Sequence, residues 1–122
     1  MRLTTIRIMI AVTLIVALAS SAGTLADRAR RSHCAAIGYE LRARAAAKAA
    51  DIKAFAARNG PSAKNAATTK QWQVYLDHID AMGKVLVDTF GDAQPPLADD
   101  RARAQDMELV PLSHAGEACT GP

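Results

Sequence analysis

Residues 51–72 read DIKAFAARNGPSAKNAATTKQW, and the middle of that stretch decides the fold. Asn59-Gly60-Pro61 is a helix stop: glycine suits the left-handed position just past a helix end, and proline cannot continue the hydrogen-bond ladder. Upstream, Cys34, Ile37, Leu41, Ala45, Ala49, Ile52 and Phe55 recur every three or four residues, which places them on one face of a helix over residues 27–58. Arg42, Arg44, Lys53 and Arg58 fall on the opposite face. Alanine, the best helix former, is dense here, and Gly38 is the one weak point. Downstream, residues 62–69 are polar, with Thr68 or Thr69 available as an N-cap. A second helix then runs to about Phe90 with Trp72, Tyr75 or Leu76, Ile79, Met82, Leu86 and Phe90 as its apolar stripe, and Gly91 ends it. Two apolar stripes joined by a short stop predict an antiparallel helical hairpin.

Charge supports that pairing. Residues 27–64 carry nine basic and three acidic groups, and residues 65–122 carry four basic and nine acidic ones. A hairpin sets the basic helix against the acidic one. Each exposed pair contributes below about 1 kcal/mol, so the pattern selects the partner more than it stabilises the fold. Pro95-Pro96 separates a short third helix over residues 97–109, with Leu97, Ala104, Met107 and Val110 inward and Asp99 and Asp100 at its positive end. Pro111 is expected to close it and leave an extended tail to Pro122. No internal repeat or strand pattern is present.

The N-terminus differs in kind. Residues 8–26 are nineteen positions without a charge, preceded by Arg2 and Arg7 and followed by Asp27, Arg28, Arg30 and Arg31. As a helix they rise about 28 Å, the thickness of a hydrocarbon core. Two readings follow: a cleavable signal peptide, with Ala17-Leu18-Ala19 as the small-x-small site, or a single membrane anchor. Either way residues 1–26 form an export or anchor segment and residues 27–122 a small helical domain. An uncleaved segment makes the membrane a partner and sets Arg28, Arg30 and Arg31 beside anionic head groups. Arginine counts favour a cytoplasmic C-terminal part, whereas the cysteines favour an exported one.

Cys34 and Cys119 are the only cysteines, and both lie beyond the apolar run. An even count in a short chain behind an export signal predicts a disulfide. Joining points 85 residues apart would stabilise the fold by on the order of 4 kcal/mol in the chain-entropy model. The hairpin returns Phe90 toward Cys34, so a tail that folds back brings Cys119 to it.

At 122 residues and 12.9 kDa the chain has room for one small core, which excludes a large catalytic domain. Half its residues are apolar, but only 4% are aromatic and 27 are alanine. Catalytic signals are few. Tyr75 and His78 share a helix face at a spacing able to ligate haem iron. His114 and Glu117 lie near Cys119, but a disulfide consumes the thiol. Asp99, Asp100, Asp106 and Glu108 do not match a calcium loop, and no phosphate-cradling loop, zinc-protease motif or nucleophile elbow is present. The interleaved aromatics of single-strand binders are missing, so no nucleic-acid partner is expected. No cofactor or metal is expected.

These features predict an exported, cell-envelope helical protein, membrane-anchored or periplasmic or secreted, that binds a protein partner and is not an enzyme. Two alternatives belong to other classes. The layout of a basic start, one apolar span and a helical ectodomain resembles small single-span proteins of phage lysis cassettes, which implies a membrane-active accessory role. Tyr75 and His78 imply a haem carrier.

Overall fold

A computed structural model describes residues 2–60, 63–91 and 94–121, with side chains described from Thr24 in the first helix and from Asn65 in the second. The element order is α1 (Arg2–Asn59), α2 (Ala63–Phe90), α3 (Ala98–Asp106) and α4 (Leu109–Thr120). The chain divides into two compact units, residues 1–30 and 31–122. In the first, residues 24–30 are helical and exposed.

The stop after residue 58 is built as its residues require. Gly60 adopts φ 71°, and its N–H donates to the Ala56 carbonyl at 3.1 Å. Asn59 closes the same turn by donating from Nδ2 to the Phe55 carbonyl at 2.9 Å. The chain then reverses. Arg31 reaches the Thr89 carbonyl, Gly38 meets Gly83, Arg42 pairs with Asp80, and Lys48 lies over Trp72. Residue numbers rise along α1 as they fall along α2, so the hairpin is antiparallel.

Gly38 is the point of closest approach rather than a defect in the helix. A Cβ placed on Gly38 would stand 2.7 Å from the Leu86 Cβ and 3.0 Å from the Gly83 carbonyl oxygen. One placed on Gly83 would stand 2.8 Å from the Gly38 carbonyl oxygen. The two helices touch backbone to backbone there, which brings the flanking large side chains into contact. The core collects Cys34, Ile37, Leu41 and Ala45 from α1 with Ile79, Met82 and Leu86 from α2. Ala104 of α3 and Leu112 and Cys119 of α4 complete it.

Three sequence expectations are corrected. The stretch 98–120 forms two helices, Ala98–Asp106 and Leu109–Thr120, not one helix and an extended tail. Met107 turns extended (φ −79°, ψ 142°) and ends α3. Glu108, also extended, is the N-cap of α4, so Pro111 falls in the first helical turn. Proline is tolerated there because first-turn N–H groups have no intrahelical partner. The first bond that α4 needs, Leu112 N–H to the Glu108 carbonyl at 2.9 Å, begins one residue after the proline. Second, α2 starts at Ala63, ahead of the threonines expected to cap it; Ala63, Ala66 and Ala67 carry the helix through the polar stretch.

Third, among the described residues no helix is long and apolar enough to cross a membrane. This corrects the transmembrane segment, the membrane as a partner and the membrane-anchored location. From Asp27 onward α1 carries Arg28, Arg30, Arg31, Glu40, Arg42 and Arg44, too many charges for a lipid-facing helix. The side chains of residues 8–23, most of the apolar run, lie outside the described residues.

Ser32 docks α3. Buried on α1, its Oγ accepts the N–H of Leu97, the α3 N-cap, at 2.7 Å and donates to Asp100 at 2.6 Å. In an ordinary capping box the third helical residue bonds the N-cap N–H directly. Here a hydroxyl from another helix stands between the Leu97 N–H and the Asp100 carboxylate. At the other end of α3, Arg44 donates to the Gln105 carbonyl at 2.7 Å while its Nε bonds Glu40 at 2.7 Å. A cation thus meets the negative end of the helix dipole.

Candidate binding groove

Cys34 and Cys119 form a disulfide, Cα to Cα 5.8 Å, that ties α1 to the last turn of α4. Around it the hairpin is roofed. Gly116 lies on Leu41 and Met82 so closely that a Cβ would stand 2.8 Å from the Leu41 Cδ1 and 2.7 Å from the Met82 sulfur. Toward the hairpin turn this cover ends.

The apolar face of α1 does not end with it. Ala49 and Phe55 are exposed and Ile52 is half-buried, although the periodicity places all three in the core. Phe55 is 46% exposed. Here the helices line a groove of about 440 Å³, open to solvent, with Lys48, Asp51, Ile52, Phe55 and Arg58 on the α1 side. Asn65, Thr68, Thr69 and Trp72 line the α2 side. The volume lies within the range of ligand pockets, about 300–1,000 Å³. Trp72 is held from two directions: Lys48 Nζ stands 4.9 Å from its ring centroid, and Tyr75 meets it edge-on at 6.1 Å with the planes at 73°. The floor is therefore aromatic and aliphatic, and the rim is mainly cationic and hydroxylic.

Tyr75 is half-buried against the core and used for packing, whereas His78 is exposed. The pair thus sits in two different environments. Arg28 and Arg30 are exposed; Arg31 is half-buried and donates to the Thr89 carbonyl at 3.5 Å, near the end of α2. Asp100 belongs to the Ser32 bridge. His114 is exposed, and Ser113 bonds the Val110 carbonyl within α4 at 2.8 Å. Among the described residues no group of three or more His, Cys, Asp or Glu side chains could hold a metal ion.

Sequence periodicity assigned Ile52, Phe55 and Trp72 to the core. The signal that separates them is helix length: nine residues of α3 and twelve of α4 cannot cover a hairpin arm of twenty-eight. No family model, curated protein or solved structure matches the chain.

Proposed function

We propose that this is an exported helical binding module, periplasmic or secreted, that acts without catalysis by holding a protein partner. One observation carries the reading: the hairpin is stapled and roofed at the end held by Cys34–Cys119, while the same seam lies open at the other end over Phe55 and Trp72. A disulfide spanning 85 residues suits an oxidising compartment and supplies stability that so small a core lacks. Large apolar side chains exposed beside cations are the composition of a recognition surface.

Intact mass and fractionation of the native protein test the reading together. The expected result is an oxidised chain, lighter than its reduced form by two hydrogens, recovered outside the cytosol in complex with another protein. Recovery from the cytosol with two free thiols overturns it.

A further inference from the structure

We propose that the open groove between residues 48–58 of α1 and 65–72 of α2 docks an acidic amphipathic helix of a protein partner. The proposal rests on the binding reading above and names its site and the chemistry of its occupant.

The seam already accepts a helix one step along. On α1 the series Cys34, Leu41 and Ala45 is buried in the core that α4 completes with Leu112 and Cys119. The series continues at the same spacing as Lys48, Ile52 and Phe55, where the groove lies open. An amphipathic helix with apolar residues at i, i+3/i+4 and i+7 extends the pattern, as in helix-in-groove recognition.

Charge selects the sign of the partner. Residues 48–72 carry five basic groups and one acidic group, net +4, whereas residues 73–122 carry three basic and nine acidic, net −6. Asp51 is the only carboxylate in the first of these stretches. On the rim Lys48 and Arg58 outnumber Asp51, which favours a helix that carries carboxylates over a basic one.

The indole separates a peptide from a single-stranded nucleic acid, the other acidic polymer with apolar faces. Base recognition uses an open aromatic face. The Lys48 ammonium lies over the Trp72 ring and Tyr75 meets it edge-on, so stacking on the covered face would displace the cation. Aliphatic side chains need no free ring face. They can pack beside Ile52 and Phe55.

Fluorescence of the full oxidised chain tests the proposal, because Trp72 is its sole tryptophan and lines the groove. The probe is a synthetic peptide about four turns long, with leucine at i, i+3, i+4 and i+7 and glutamate elsewhere. The expected result is a saturable shift of Trp72 emission that a scrambled peptide of equal composition does not produce. Phe55→Asp and Arg58→Glu should each weaken binding by about tenfold or more. Both positions are exposed, and Arg58→Glu suffices should Phe55→Asp fail to fold. Equal binding of the scrambled peptide overturns the proposal. So does a single-stranded oligonucleotide that shifts Trp72 at lower concentration, or self-association through this face with no response to peptide. A reduced, cytosolic chain would overturn the export reading and leave the titration standing. An exported, oxidised chain that ignores the peptide overturns the docking site alone.

Discussion

Gly38 and Gly83 meet across the α1–α2 crossing with no room between them for a methyl group, since a Cβ on Gly83 would lie 2.8 Å from the Gly38 carbonyl oxygen. Backbone stands on both sides of the contact, so a larger residue can be accommodated only by moving one helix away from the other. Gly83→Ala is expected to destabilise the protein by about 1–3 kcal/mol despite alanine's better helix propensity. Gly121→Ala is the control. Its nearest neighbour is 3.6 Å away, an ordinary contact, and the expected change is within about 0.5 kcal/mol. Urea unfolding followed by circular dichroism measures both, and a neutral Gly83→Ala would refute the close crossing.

Ser32 bonds the start of α3 from α1, and its hydroxyl serves two partners at once. Ser32→Ala leaves the Leu97 N–H and the Asp100 carboxylate to find water at a half-buried junction. The expected cost is about 1–3 kcal/mol. The loss should be local: amide exchange quickens in α3 and changes little in α2. Uniform acceleration across both helices would show that the bridge does not act on α3 in particular.

The hairpin was legible because two apolar stripes flank an Asn59-Gly60-Pro61 stop, and local chemistry dictates that stop. The cysteine pairing was legible from count and placement. Two features were hidden for different reasons. Pro111 reads as a terminator only if the preceding helix continues to it, and the extended turn at Met107, a tertiary effect of docking α3 and α4 separately, has no local signature. The groove was hidden because Ala45, buried, and Ile52, half-buried, share one periodic series. Periodicity identifies a face; the length of the covering helices decides whether that face is buried.

Pro111 gives a direct check on the fourth helix. In the first turn of α4 its missing N–H removes no bond, because the ladder begins with Leu112. Pro111→Ala is expected to change stability by less than about 1 kcal/mol, while Ala115→Pro, in the helix interior, should cost about 3 kcal/mol or more. Thermal melts of the two variants compare them. An extended tail would tolerate both equally.

Reduction of Cys34–Cys119 separates the two ends of the hairpin. The bond constrains an 85-residue stretch of the unfolded chain, so Cys34→Ser with Cys119→Ser should lower stability by on the order of 4 kcal/mol in the chain-entropy model. The response should be graded along the molecule. The helix α4 is tied through its last turn and loses its covalent hold on α1, whereas Trp72 lies at the far end of the seam among Lys48, Phe55 and Tyr75. Amide exchange in α4 should therefore rise at reductant concentrations that leave Trp72 emission unchanged, with the indole responding only when the whole hairpin unfolds. Simultaneous change at both ends would mean that the groove depends on the staple for its shape, and peptide binding would then be lost on reduction.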